Sequence, residues 1–140
     1  MNRRGSIACF MVCKIGIVLA VVVLIGAVIN MASSIDREAH REEMIETAKI
    51  ILGALEEADS IPGKVSIERE LPGSPRNMSI VLEGERGPSQ LVRVRIEGLE
   101  NIARHTVLSA IVNNGSFSLR VNNPSRLRLL KESFILMELI

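Results

Sequence analysis

The feature that most constrains this chain is an apolar run near its N-terminus. The segment from Ile15 to Ile29 has no polar side chain, and Asn30, Met31 and Ala32 extend the run to eighteen residues. Eighteen residues of α-helix measure about 27 Å, close to the roughly 30 Å hydrocarbon core of a bilayer. A buried strand or core helix seldom reaches this length without a polar face. The run therefore predicts a transmembrane helix, with membrane lipid as its surroundings.

The charges on either side of this helix predict its orientation. Of the 17 Lys and Arg, only Arg3, Arg4 and Lys14 precede Ala32, whereas all 16 Asp and Glu follow it. Lys and Arg accumulate on the cytoplasmic side of a transmembrane helix. We therefore expect a single-pass protein of the cell membrane, with a cytoplasmic N-terminus and an extracellular C-terminal domain. Because the outer part is slightly acidic, we expect no binding to nucleic acid.

Three fates of the N-terminus are compatible with this pattern. In the first, the helix stays as an uncleaved anchor. In the second, it is a secretory signal removed after Ala32, although Asn30 would then occupy a position that such signals give to a small residue. In the third, an early cut after Gly5 leaves the whole apolar helix on the mature protein.

A family resemblance supports the early cut. The residues Arg3-Arg4-Gly5, followed at once by a long apolar helix, resemble the class III signal peptide of archaeal type IV pilin-like proteins. The resemblance implies that a prepilin-type peptidase cuts between Gly5 and Ser6. It also implies that the freed helix anchors the protein and later forms the core of a filament, by self-assembly or with other pilin-like subunits.

The chain departs from that family's pattern at two positions. Phe10 is the fifth residue after the expected cut, where many pilins have Glu. Lys14 would place a charge inside the packed core, which is costly unless the charge is paired. Both departures bear on assembly into a filament, and they leave the prediction of a membrane anchor unchanged.

The rest of the sequence predicts an α+β fold, in which a long N-terminal helix packs on an antiparallel β-sheet domain. We expect a basic leader over residues 1–5, a transmembrane helix over 6–32, an amphipathic continuation of that helix over 33–60 and the sheet domain over 61–140. Helical spacing gives the amphipathic part the apolar face Ile35, Ala39, Ile45, Ala48, Leu52 and Leu55.

Alternation of apolar and polar residues after Pro62 predicts six or seven strands. Breaker residues predict loops over 71–75 and 84–88 and an irregular segment over 98–104. Asn113-Asn114-Gly115 predicts a hairpin turn between strands over 106–112 and 116–121. A last hairpin is expected from strands over 127–131 and 134–139. Its second strand is apolar on both faces, so it is either buried on both sides or an exposed edge that awaits a neighbour.

No set of residues predicts catalysis, a cofactor or a metal site, so we expect a protein that is not an enzyme. Asp36, His40 and Glu43 lie at helical spacing, and we interpret them as a solvated helix surface. His105 has no recognisable acid partner. Five arginines are interpreted as solvated strand positions, with a basic sheet face for an acidic glycan or partner as the alternative. They are Arg93 and Arg95 on one predicted strand and Arg120, Arg126 and Arg128 on others.

Two cysteines and two sequons are possible sites of covalent modification. Cys9 and Cys13 are four residues apart on one helix face, too far to pair with each other without distortion. We interpret them as small apolar residues, with an intermolecular disulfide or lipid attachment as alternatives. Asn77-Met78-Ser79 and Asn114-Gly115-Ser116 match the N-glycosylation pattern, so Asn77 and Asn114 are candidate glycosylation sites.

These observations favour a membrane-anchored, pilin-like structural subunit of an extracellular filament or cell-surface assembly. The alternative is a monomeric single-pass protein whose outer domain binds a partner or serves an accessory role. The mature N-terminus separates the two, because a chain that begins at Ser6 supports the pilin-like interpretation.

Overall fold

The computed structural model describes residues 3–73 and 77–140. In this part of the chain, one helix is followed by seven strands. The predicted α+β fold is confirmed, since the long N-terminal helix packs against antiparallel sheets. The elements are α1 (Arg3–Ser60), β1 (Val65–Glu70), β2 (Ser79–Arg86), β3 (Gln90–Glu97), β4 (Asn101–Leu108), β5 (Phe117–Asn122), β6 (Arg126–Lys131) and β7 (Ile135–Leu139).

Helix α1 ends where the sequence predicts. Pro62 disfavours helical backbone in the residue before it, and Gly63 adopts a φ of 90°, which glycine tolerates best. The last turn is closed by a hydrogen bond from the Ile61 backbone N–H to the Glu57 carbonyl. The chain divides into two compact units, Met1–Glu38 and Ala39–Ile140, and each is described by itself.

The second unit contains the hydrophobic core. Its seven strands form a three-stranded sheet, ordered β1-β6-β7, and a four-stranded sheet, ordered β4-β3-β2-β5. Every strand pair is antiparallel. The inward side chains of both sheets join helical residues in one buried cluster, including Ile67, Leu127, Leu129 and Ile135 from the first sheet and Ile80, Leu82, Val92, Val94 and Ile96 from the second.

The helix face that enters this core differs from the predicted one. Ala48 and Leu55 are buried as expected, but Ile35 is 61% exposed, and Ile45 and Leu52 are only half-buried. Ala39 is exposed. The buried stripe is a different set of residues, which includes three alanines and two polar residues: His40, Met44, Thr47, Ala48, Ile51, Ala54, Leu55 and Ala58. A hydrogen bond from the Thr47 hydroxyl to the Glu43 carbonyl, at 2.8 Å, lets this polar residue lie in the core.

Two predictions are wrong in part, since the loop expected over 84–88 occupies only 87–89 and the irregular segment expected over 98–104 occupies only 98–100. Strand β2 continues through Gly84 to Arg86, where a loop was expected over 84–88. Gly84 is required by a close approach, since a side chain there would overlap the ring of Phe117. The segment 98–104 is also not irregular throughout, because β4 begins at Asn101 and pairs with β3 along its length. Of the expected loop over 71–75, residues 74 and 75 lie outside the described residues.

The predicted hairpin around Asn114 is also wrong. Strand β4 pairs with β3 and β5 pairs with β2, so the two do not pair with each other. The turn itself is present, because Asn113, Asn114 and Gly115 all have positive φ. The Gly115 backbone N–H also donates to the Val112 carbonyl at 2.9 Å. The final hairpin is confirmed by the antiparallel pairing of β6 with β7.

Candidate membrane anchor and outer surfaces

The first unit exposes an apolar helix surface. Its large apolar side chains, from Ile7 to Ile35, are exposed over fractions that run from 50% for Val21 to 70% for Val23. The surfaces of soluble proteins rarely present a contiguous apolar patch of this extent, and such patches mark contacts with membranes or with other proteins. Helix α1 therefore contains a candidate single membrane span near the N-terminus.

Two polar groups in this segment, on Lys14 and Ser33, have partners within the helix. The Lys14 ammonium lies 4.7 Å from the centroid of the Phe10 ring, a distance suited to a cation–π contact between residues one turn apart. The Ser33 hydroxyl donates to the Ile29 carbonyl at 3.0 Å. These contacts lower the cost of placing a charge and a hydroxyl in apolar surroundings.

The expected cut lies in an open part of the same helix. Gly5 and Ser6 are both exposed, and a Cβ added at Gly5 would meet no atom within 4 Å. The packing of this chain therefore does not require glycine at position 5. The same is true of the other helical glycines, Gly16, Gly26 and Gly53. Cys9 and Cys13 are both free and exposed in the structure.

The arginines on the outer face of the four-stranded sheet do not form a basic surface. Arg95 donates to both carboxylate oxygens of Glu83, at 3.1 and 3.2 Å. Arg93 lies 3.9 Å from Glu83, and Glu97 pairs with both Arg95 and Arg120. Two glutamates thus balance much of the charge of three arginines, and each exposed pair adds little stability.

The other two arginines, Arg126 and Arg128, belong to β6 in the three-stranded sheet. Arg126 pairs with Glu68 at 3.2 Å. Arg128 stands between Glu68 of β1 and Glu138 of β7 in the strand register. The five arginines are therefore divided between two sheets and interleaved with acids, which favours the solvated interpretation over a continuous basic face.

The two histidines differ in their surroundings. His105 lies in the middle of β4 and is exposed. His40 was expected on a solvated helix surface and is instead only 5% exposed. It is covered by the β3–β4 loop, since a Cβ added at Gly98 would lie 3.2 Å from its Nε2. The sequence missed this because helical periodicity places a residue on a face but does not show what covers that face. Among residues 3–73 and 77–140, no group of three His, Cys, Asp or Glu could hold a metal ion.

The free edge of β7 is covered by the chain itself. The Asn113 side chain accepts a hydrogen bond from the Met137 backbone N–H at 2.8 Å and donates to its carbonyl at 3.4 Å. Beside it, the Ile135 backbone bonds to Ile111 and Asn113. Strand β7 also has a single buried face, because Ile135 and Met137 are buried whereas Leu136 is 40% exposed. The strand is therefore neither buried on both sides nor an open edge, so both alternatives that the sequence suggested are wrong.

Replacing Asn113 with alanine is expected to open this edge. The Met137 N–H would lose its acceptor, and the domain should lose about 1–2 kcal/mol. The Met137 amide should also exchange faster with deuterated solvent. Asn114→Ala is the matched control, since Asn114 also has positive φ but makes no such bond. Equal stability and equal exchange in the two variants would show that the Asn113 side chain does not protect the edge.

The end of helix α1 is held by a side chain from β6. The Lys131 ammonium donates to the carbonyls of Ala58, Asp59 and Ile61 at 2.8, 3.1 and 2.7 Å. The last turn of the helix has no basic residue of its own. Asp59 in turn accepts from the backbone N–H groups of Ser109 and Ala110, at 3.0 and 2.7 Å. These contacts join the helix end to β6 and to the segment after β4.

The fold thus defines an α+β protein, and its described residues contain one candidate membrane span, near the N-terminus. Comparisons of the chain with protein-family models, curated proteins and solved structures give no match. The functional assignment therefore rests on the residues and contacts of this chain.

Proposed function

We propose that the protein is a membrane-anchored, pilin-like structural subunit of an extracellular filament or cell-surface assembly. The observation that carries this proposal is the dual use of helix α1. Its first part exposes apolar side chains, whereas from His40 onward it supplies core residues to a strand-rich domain. An anchor continuous with the core of an outer domain suits a subunit that is held in lipid before assembly and by neighbouring helices afterwards.

The processing site supports the same proposal. Gly5 follows Arg3 and Arg4 and directly precedes the apolar run, which is the residue order of a class III signal peptide. Recognition by a prepilin-type peptidase accounts for glycine at this position. The partners are then membrane lipid, this peptidase and, after cleavage, further copies or other pilin-like subunits.

Mass spectrometry of the mature N-terminus tests the proposal. Protein isolated from its native membrane should begin at Ser6, and Gly5→Leu should abolish this cut. Gly16→Ala is the matched control, because Gly16 is another helical glycine with open space around it, and the cut should persist. An intact Met1 in the parent chain, or a cut after Ala32, would contradict the pilin-like assignment.

The alternative is a monomeric anchored binding or accessory module. It is favoured by the charge of Lys14 in the segment that would pack inside a filament. Shearing of intact cells separates the two: recovery in a sedimenting, high-mass fraction supports assembly. Recovery only as a detergent-extracted monomer supports the alternative. Protease added outside intact cells should remove the domain after Ala32, and full protection would overturn the proposed orientation.

A further inference from the structure

The two sequons occupy different environments in the folded domain. N-glycosylation joins the amide nitrogen of Asn to a sugar, and the hydroxyl of the Ser or Thr two residues later is part of the recognised pattern. In a folded acceptor, the transferase therefore needs access to both side chains. Asn77 and Asn114 differ in the hydrogen bonds that the residues of each triplet already form within the domain.

The Asn77 triplet is bound into the end of the four-stranded sheet. Met78 is 3% exposed, and its backbone N–H and carbonyl both bond to Asn123, each at 2.7 Å. The Ser79 hydroxyl donates to Asn122 Oδ1 at 2.6 Å, and Ser79 is the first paired residue of β2. The Asn77 side-chain oxygen accepts from Asn123 Nδ2 at 3.3 Å. Asn77 is exposed and Ser79 is half-buried, so the obstacle to an enzyme is that the Ser79 hydroxyl and the Asn77 oxygen are already bonded to Asn122 and Asn123, and these bonds must first break.

The Asn114 triplet stands on a turn between β4 and β5. Asn114 and Ser116 are both exposed, and neither side chain forms a hydrogen bond within the described part of the chain. The base of the turn is held by the Gly115 backbone, which donates to Val112 and accepts from the Gln90 amide at 2.7 Å. The turn therefore presents the two recognised side chains to solvent while its backbone stays fixed.

We propose that Asn114 is the N-glycan acceptor of this protein and that Asn77 stays unmodified. The proposal rests on the proposed function, in that the domain must be on the outer side of the membrane. The donor class is an oligosaccharide linked to a polyprenyl phosphate or diphosphate. A bond forms between Asn114 Nδ2 and the anomeric carbon as the bond from that carbon to the phosphate oxygen breaks. The lipid phosphate leaves with the electron pair, and the amide nitrogen loses one proton to solvent.

Tryptic peptides of the full chain, purified from N-glycosylating cells, test the proposal. Cleavage at arginines separates the two sequons into peptides 77–86 and 105–120. Mass spectrometry should find a glycan on peptide 105–120 and none on peptide 77–86. Asn114→Gln and Ser116→Ala should each abolish the modification. The matched controls Asn77→Gln and Ser79→Ala should leave it unchanged.

A glycan on peptide 77–86, or its persistence in the Ser116→Ala chain, would overturn the assignment. A bare peptide 105–120 would also overturn it when external protease removes the domain from the same cells. If the domain is protected from that protease, the proposed orientation is the part that fails, and the glycan proposal falls with it. The protease experiment thus distinguishes the two failures.

Discussion

Replacing Ile51 with alanine is expected to destabilise the sheet domain by about 3 kcal/mol. Ile51 is fully buried at the centre of the helical stripe that enters the core. Truncation removes apolar contacts and leaves a cavity in the core. Denaturant unfolding of the full chain in detergent micelles, followed by circular dichroism, measures the loss. Intrinsic fluorescence is unsuitable because the chain has no Trp and no Tyr.

The neighbouring residue provides the control. Leu52 belongs to the apolar face that spacing alone predicts, yet it is only half-buried. Leu52→Ala should therefore cost about 1 kcal/mol, in proportion to the smaller apolar area that it withdraws from water. The helical background is shared, so the difference between the variants reports which face enters the core. A loss of stability in Leu52→Ala equal to or larger than that in Ile51→Ala would contradict the burial of the Ile51 face of the helix.

The error in that face has a physical cause. From residue 33 to 60 the helix carries apolar residues around much of its circumference, so several stripes satisfy helical spacing. The buried stripe includes Ala48, Ala54 and Ala58, which belong to the same core cluster as Ile and Leu residues of the strands. It also includes His40 and Thr47, which a search for apolar residues passes over. Packing partners, which come from distant sequence, decide among the candidate faces.

The elements that could be predicted are those set by local pattern. The unbroken helix to Ser60 follows from the absence of proline before Pro62, and strand β3 follows from its strict alternation, which buries Val92, Val94 and Ile96. Strand β4 was placed too late because Asn101 and Arg104 interrupt its apolar pattern. As an edge strand it tolerates polar residues on its exposed side.

The side-chain contacts on the solvent-exposed faces of the sheets depend on strand pairing, which could not be predicted from the sequence. Arg93 and Arg95 were correctly placed on the exposed face of β3, but their neutralisation by Glu83 requires β2 to lie alongside in a particular register. The same holds for Asn113, whose turn conformation was predictable and whose bonds to Met137 were not. Local sequence patterns thus predict the backbone conformation at these sites. The partners of their side chains depend on strand order and register, which local patterns do not show.

Replacing Lys131 with methionine is expected to destabilise the domain by about 2 kcal/mol. Methionine keeps the apolar stem but removes the ammonium that donates to the carbonyls of Ala58, Asp59 and Ile61. Carbonyls at a helix C-terminus lack intrahelical partners and carry partial negative charge, so a cation there stabilises the helix. Hydrogen exchange should rise first in the last turn of α1 and in the neighbouring pairs of β1 and β6.

Lys64 is the matched control for this experiment. It lies beside Val65, the β1 residue opposite Lys131 in the strand register, and pairs with Glu132 at 3.3 Å. Its side chain is 78% exposed, so Lys64→Met should change stability by no more than about 0.5 kcal/mol. Similar losses in the two variants would indicate a general effect of net charge rather than capping. A Lys131→Met chain as stable as the parent would mean that solvent satisfies the three carbonyls equally well.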